Sequence, residues 1–171
     1  MIASRSLVLG AVALLASVSA LSARPAVLAG PPWISIETPV NPYDATTRGA
    51  FLLVHAFHHG TDINAPVTGT AEGLVNGARR SVVLDFTATS RTGAYALRKQ
   101  WADSGLWTLV IKVQQDQHGD DAAQAIVELA ADGSVARIQV PTRPSDRGDM
   151  PLPRQLSSRE IDASLRARAT R

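Results

Sequence analysis

Short apolar segments recur from Trp33 to Val140, and each ends in a turn signal. Leu106 to Val113 is the clearest of them, and Asn76-Gly77 between two others is a strong signal for a hairpin turn. The predicted strands are 33–37, 50–58, 66–75, 81–87, 94–98, 106–113, 123–129 and 134–140. Such strands, spaced roughly eight to twelve residues apart, predict an all-β chain: an immunoglobulin-like antiparallel β-sandwich of about seven to eight strands.

Residues 50–58 admit two interpretations. They are apolar on both faces and rich in β-forming residues, as expected for the central strand of a sandwich. The alternative is a helix that runs from a cap near Asp44 to Gly60. We favour the strand because Thr47 and Gly49, which would lie inside that helix, are poor helix formers.

Residues 1–23 have the pattern of a secretory signal peptide. Arg5 supplies the positive charge, Ser6 to Leu21 is apolar, and small residues suit cleavage after Ala20 or Ala23, with Ala23 as the outer bound. The apolar run of about 16 residues is shorter than the roughly 20 of a spanning helix. We therefore expect an exported protein, periplasmic or extracellular, without a membrane span in the mature chain.

The rest of the chain divides by composition. Residues 24–32 form a short leader, residues 33–141 the β-sandwich domain, and residues 142–171 a tail rich in proline and arginine. Ser157–Glu160 has the capping-box pattern that opens a helix, here to Ala169. The apolar stripe of that helix is too thin to hold it alone in water, so we expect a disordered or weakly helical tail.

Composition excludes several functions. The chain has no cysteine, which excludes disulfides, thiolate nucleophiles and cysteine metal sites. Its formal net charge is +2 with no broad basic run, so no nucleic-acid partner is expected. Neither a G-x-S-x-G elbow nor a glycine-rich phosphate loop is found, and we expect no enzymatic activity.

Three of the four histidines, His55, His58 and His59, lie within five residues, and imidazole binds copper or zinc at neutral pH. On a strand, His55 and His59 share a face but are about 13 Å apart, and His58 points the other way. Ligand nitrogens on one ion must lie within about 4 Å of each other. On a helix the three residues would converge, and on a strand a bulge near His58 or fraying at Gly60 would bring His58 and His59 together.

The sequence therefore leaves two interpretations of these histidines open. In the first, His55, His58 and His59 hold copper or zinc, and His118 joins them if its polar hairpin connection approaches. In the second, the protein has no cofactor. His55 is then a core-facing or interface residue, while His58 and His59 end a strand and meet water.

Two glycine–aromatic pairs, Gly93 with Tyr95 and Gly105 with Trp107, share one spacing. In each, a turn with positive φ is followed by a ring that is expected to face inward and close the end of the sandwich. The functional alternative is an exposed aromatic pair that stacks on sugar. An exposed Trp101 would favour that alternative.

The segment from Pro66 to Val113 resembles small exported bacterial domains of the FixH-like and YtkA-like group. The resemblance rests on P-V-T-G-T-A-E-G, the strand Val82 to Phe86, T-G-A-Y-A-L and S-G-L-W-T-L-V-I. It implies an immunoglobulin-type sandwich near the cell envelope, in some members alongside copper handling or cytochrome-oxidase assembly. This sequence lacks the methionine-rich stretches of periplasmic copper carriers, since Met150 is the only methionine left after export.

These features predict an exported, non-enzymatic, immunoglobulin-like binding or accessory module of the cell envelope. Its partner would be an envelope protein or another exported component. The alternative is a periplasmic copper- or zinc-binding protein that uses the histidines.

Overall fold

The computed structural model describes residues 30–114, 122–148 and 150–170. Its strands are β1 (Trp33–Glu37), β2 (Leu52–His58), β3 (Thr61–Asp62), β4 (Val67–Val75), β5 (Ala78–Val83), β6 (Phe86–Ala88), β7 (Ala94–Leu97), β8 (Leu106–Val113), β9 (Ala123–Leu129), β10 (Val135–Gln139), β11 (Thr142–Pro144) and β12 (Pro151–Pro153). Helix α1 (Ser158–Ala169) follows the strands, and a 3-10 turn covers Ala45–Thr47. The predicted signal peptide lies outside the described residues. No helix in the described part of the chain is long and apolar enough to cross a membrane.

The strands form two main antiparallel sheets. The first sheet has the order β1-β2-β7-β6, with β3 added beside β2, and the second has the order β10-β9-β8-β4-β5. In immunoglobulin lettering the first sheet is A-B-E-D and the second is G-F-C-C′ with one extra strand beside G. The prediction of an all-β immunoglobulin-like sandwich is confirmed. The topology places the B–C and D–E connections at one end of the sandwich, called here the loop end.

Strand β2 lies in the middle of the first sheet, so the strand interpretation of residues 50–58 is confirmed. Leu52, Val54 and Ala56 point inward from it into the core, where Leu109 and Ile111 of β8 also lie. The strand pairs with β1 on one side and with β7 on the other. Such pairing satisfies its backbone donors and acceptors in a place where water does not reach.

The predicted strand 81–87 is two strands that belong to different sheets. β5 ends at Val83 in the second sheet, and β6 begins at Phe86 in the first. Between them Leu84 is buried, and its N–H donates a 3.0 Å hydrogen bond to the carbonyl oxygen of Gly69. The alternation of side chains passes through this crossover without a break, which is why the sequence reads as one strand.

Both glycine–aromatic pairs have the predicted backbone. Gly93 and Gly105 have φ of +71° and +99°. Trp107 is 4% exposed and its indole N–H donates to the Ser104 carbonyl at 3.0 Å, while Tyr95 is half-buried against the core. The structural interpretation of the two rings is therefore confirmed.

Trp101 does not offer a platform for sugar. It is 6% exposed, and its ring meets the ring of Phe51 edge-on with the centroids 5.1 Å apart. A ring enclosed in this way packs the core and cannot stack on a ligand from solvent.

Residues 142–148 and 150–170 are more ordered than the predicted linker and tail. β11 and β12 pair as a small separate sheet within 142–153. The capping box of α1 is present: the Glu160 carboxylate accepts from the Ser157 N–H at 2.9 Å, and the Ser157 hydroxyl accepts from the Glu160 N–H at 3.3 Å. The helical alternative for the tail is therefore the one found.

Helix α1 docks on the outer face of the second sheet. Ile161 and Leu165, the latter 1% exposed, pack against Val110 and Ile126 of β8 and β9. The apolar stripe of α1 is thin, as predicted. The sheet completes it, because Val110 and Ile126 form an apolar cluster with the helix that is separate from the main core. The sequence argument left disorder open as an alternative because it considered the helix without this partner.

Arg168 fixes the last turn of α1 to the sheet. Its guanidinium donates to the Thr108 hydroxyl at 2.7 Å and to the carbonyl oxygens of Leu129 and Trp107 at 2.6 and 3.3 Å. The Glu128 carboxylate lies 3.9 Å away. A planar group with several fixed donors suits such a set of acceptors.

Candidate functional site

Strand β2 ends at His58 because the chain turns sharply there. His59 and Gly60 both have positive φ, +49° and +77°. Two consecutive residues with positive φ are typical of the tight turn that joins paired antiparallel strands. The chain then returns as β3, which pairs with the end of β2.

The turn brings His58 and His59 into ring contact. Their centroids are 4.1 Å apart and the ring planes are at 87°. His58 is 4% exposed and faces inward, whereas His59 is exposed. A tight turn, and not a bulge or fraying of the strand, brings these two rings together.

The predicted four-histidine set is not assembled within the described residues. His55 lies on the opposite face of β2 from His58, as the strand period predicts. His118 lies in 115–121, outside the described residues. Among the described residues, no group of three or more His, Asp or Glu side chains is arranged to hold a metal ion.

His55 faces outward from the first sheet, so the prediction of a core-facing His55 was wrong and the interface alternative remains. Its Nε2 lies 2.8 Å from the Glu37 carboxylate, and Arg91 donates to the same carboxylate oxygen at 3.2 Å. Because an ionised carboxylate only accepts hydrogen bonds, Nε2 of His55 carries the hydrogen and donates it. That nitrogen is therefore engaged and is not a metal ligand in this arrangement.

The environment of Glu37 favours its charged form. Partial burial opposes ionisation, but the hydrogen bond with His55 and the charge of Arg91 outweigh it, so the pKa of Glu37 is lowered from 4.5. A carboxylate with a lowered folded-state pKa stabilises the fold above its ordinary pKa. This stabilisation is lost as pH falls through the lowered value.

An Arg91→Ala variant should therefore raise the pKa of Glu37 towards its ordinary value, because one of the two groups that favour the charged form is removed. The part of the stability that depends on the ionised Glu37 carboxylate should then be smaller, and its loss on acidification should be complete at a higher pH. An NMR titration of the Glu37 carboxyl carbon measures the first effect, and thermal unfolding at several pH values measures the second. Arg80→Ala, an exposed arginine on the other sheet, is the control. An unchanged Glu37 titration in Arg91→Ala would contradict this account.

Two aromatic side chains lie next to the group formed by Glu37, His55 and Arg91. Trp33 of β1 and Phe57 of β2 are directly opposite each other in register. The next pair on the same face of the sheet is Ser35 and His55. Both aromatic side chains are only half-buried, and both face away from the core. The outward set Trp33, Glu37, His55, Phe57 and Arg91 is called here the aromatic–ionic patch.

Sequence reasoning found one member of the aromatic–ionic patch, His55, and missed the others. The segment W-I-S-I-E contained the signal for two of them. If Ile34 and Ile36 face the core, then Trp33 and Glu37 must face out. Arg91 comes from the D–E turn and is brought in only by the pairing of β2 with β7.

The strand order and the aromatic–ionic patch are the features to compare with known proteins. No family model, no curated protein and no solved structure matches the chain. The surface chemistry of the described residues is therefore the basis for a functional proposal.

Proposed function

We propose that the chain is an exported, non-enzymatic, immunoglobulin-like binding module of the cell envelope, which binds an exported partner protein through the aromatic–ionic patch. The observation that carries this proposal is the half-exposed pair Trp33 and Phe57 beside His55 and Arg91. Tryptophan, other aromatic residues and arginine are enriched in protein interfaces, and tryptophan and arginine dominate their binding energy.

The difference between the two sheets supports this choice of surface. The outer face of the second sheet carries α1, whose Leu165 packs on it. The patch lies on the outer face of the other sheet, away from α1. There Glu37 holds His55 and Arg91 by the same oxygen, so its ion pair with Arg91 is already ordered before a partner arrives. Charged groups ordered in this way favour specificity in an interface.

The sequence supports the location of the proposed module. The signal-peptide pattern of residues 1–23 supports export to the periplasm or beyond. The resemblance of Pro66 to Val113 to FixH-like and YtkA-like domains supports a place at the envelope and an accessory role. Membership of that group is part of the proposal.

Site-specific photocrosslinking in the native cells tests the proposed surface. Ser35 is exposed and lies opposite His55, between Trp33 and Glu37 on the same face of β1. A photoreactive amino acid at this position should give a discrete adduct with one exported protein. The same amino acid at Arg80, on the other sheet, is the matched control and should not give this adduct. The adduct should be lost in a Trp33→Ala/Phe57→Ala variant that retains its thermal unfolding. Equal adducts from both positions, or an adduct that survives the double substitution, would overturn the proposal.

A second proposed function is periplasmic copper or zinc binding at the loop end. The observation that favours it is the contact between the rings of His58 and His59 at 4.1 Å. Adjacent imidazoles on a tight turn can share one ion if the nitrogens turn towards it. His55 would not take part, because its Nε2 donates to Glu37.

Calorimetric titration of the mature domain with Cu(II) and Zn(II) tests the metal proposal. Binding should be lost in His58→Ala/His59→Ala and retained in His55→Ala, the control. Since His58 is inward-facing, the single variant His59→Ala keeps the test valid if the double variant does not fold. A dissociation constant weaker than about 10 μM, or equal binding by His59→Ala, would exclude this function.

A further inference from the structure

A cleft of about 310 Å³ lies beside α1 on the outer face of the second sheet. The first turns of α1 form one wall, with Ser158 and Ile161, and the floor includes Val110. Its volume is at the lower end of the range for small-molecule sites, about 300–1,000 Å³. The cleft is on the opposite sheet from the aromatic–ionic patch, so it is a separate surface.

One row of cross-strand neighbours gives the cleft its polar end. Thr68, Lys112 and Gln124 pair in register on β4, β8 and β9, and all three face outward. All three line the cleft. The hydroxyl, the ammonium and the amide each offer hydrogen-bond donors, so this end of the cleft is rich in donors.

Gln124 points to a ligand at this end. Its side chain is 1% exposed, and its Oε1 accepts from the Leu156 N–H at 2.6 Å, which fixes the orientation of the amide. The NH2 group of Gln124 has no partner among the described residues. A buried donor without an acceptor is unfavourable, and an acceptor atom in the cleft would satisfy it.

Lys112 is the second cation that lines the cleft. It forms no ion pair within the described part of the chain. The other charged residues of the cleft, Glu72 and Arg79, pair with each other at 2.8 Å, and Arg79 also pairs with Asp162 at 2.7 Å. Among the described residues, Lys112 is therefore the cation of the cleft that has no ion pair, and it lies next to Gln124 in register.

We propose that this cleft binds a small ligand through a carboxylate group, which accepts from the Lys112 ammonium and from Nε2 of Gln124. A monoanion matches the one cation of the cleft that has no ion pair among the described residues, and the Glu72 carboxylate of the same cleft disfavours a more highly charged anion. The apolar part of the ligand lies over Val110 and against Ile161. This function goes beyond the proposed partner binding and does not depend on it.

The test uses 3-methylbutanoate as the probe and its neutral amide, 3-methylbutanamide, as the matched control, followed by NMR on the mature protein. The acid should shift the side-chain NH2 signals of Gln124 in a saturable manner, and the amide should not. Inorganic phosphate should bind more weakly than the acid. No saturable shift up to about 10 mM acid, or equal binding of the amide or of phosphate, would overturn the proposal.

Two substitutions, at Lys112 and Gln124, test the proposed contacts, and a third, at Lys99, controls for general effects of charge. Lys112→Gln should weaken binding of the acid about tenfold or more, whereas Lys99→Gln, at the other lysine of the chain, should not. Gln124→Glu keeps an oxygen that accepts from Leu156 and replaces the donor by a second carboxylate oxygen, so binding should be lost while the fold is kept. Equal binding by both lysine variants would overturn the assignment.

The carboxylate has two sources that the same method distinguishes. One is a free small acid, and the other is the C-terminus of an exported peptide. A tripeptide Ala-Ala-Leu with a free C-terminus is compared with the same peptide amidated. Stronger binding of the free peptide than of 3-methylbutanoate identifies a chain terminus as the ligand, and the reverse order identifies a small acid.

Discussion

Replacing Arg168 by alanine should release α1 from the second sheet and lower the free energy of unfolding by about 3 kcal/mol. The guanidinium makes three hydrogen bonds to the sheet, one of them to the buried Thr108 hydroxyl. Its removal also leaves the Glu128 carboxylate without this cation. Truncation of a half-buried charged group costs more than the loss of an exposed one, because its partners stay buried.

Hydrogen exchange of the α1 amides, together with urea denaturation, measures the effect of Arg168→Ala. Arg166→Ala is the matched control, since this exposed arginine lies in the same last turn. Exchange in α1 should become fast in the first variant only. The account would be contradicted if both variants protected the α1 amides equally. Because α1 forms one wall of the cleft, Arg168→Ala should also weaken binding of the carboxylate probe.

Gly93→Ala should lower the free energy of unfolding by about 3 kcal/mol and loosen the loop end. Gly93 has φ of +71°, and a Cβ at this position would lie 2.6 Å from the carbonyl oxygen of Ala56. Gly93 also accepts from the Ala56 N–H at 2.8 Å and donates to the Asn64 side chain at 3.1 Å. Any shift that relieves the clash would therefore strain the contacts between the D–E turn, β2 and the B–C connection.

Gly133→Ala separates the cost of positive φ from the cost of the clash with Ala56. Gly133 has a similar φ of +82°, but nothing lies within 4 Å of an added Cβ. The free energy of unfolding of Gly133→Ala should therefore fall only by the cost of positive φ, about 1 kcal/mol. Urea denaturation of both variants measures the difference. Equal losses would show that the close approach to Ala56 has no energetic weight.

Most strands were predictable because each buries one face and alternates its side chains. β1 and β8 have the predicted bounds, and the turn glycines Gly93 and Gly105 were found from spacing alone. Two features of the fold were not predictable in this way. The crossover at Leu84 preserves the alternation while the chain changes sheets, and α1 depends on Val110, whose outward direction is hidden inside a continuous apolar run.

For the histidines, the sequence predicts the direction of each side chain along β2 but not its partners from other segments. The period of β2 correctly separated His55 from His58, and Gly60 indicated the break that joins His58 to His59. The partners of His55 were not predictable, because Glu37 and Arg91 come from distant segments and meet it only through strand pairing. Register between strands, which the sequence does not encode locally, sets the composition of such a patch.

The order of the second sheet leaves β5 and β10 as its two edges, and both carry arginine. Arg79 and Arg80 lie on β5 and Arg137 lies on β10. An edge strand presents unpaired backbone groups that could template the strand of another molecule, and positive side chains along both edges make such stacking repulsive. At high protein concentration, these arginines would help the folded chains to remain separate rather than extend one another's sheets into aggregates.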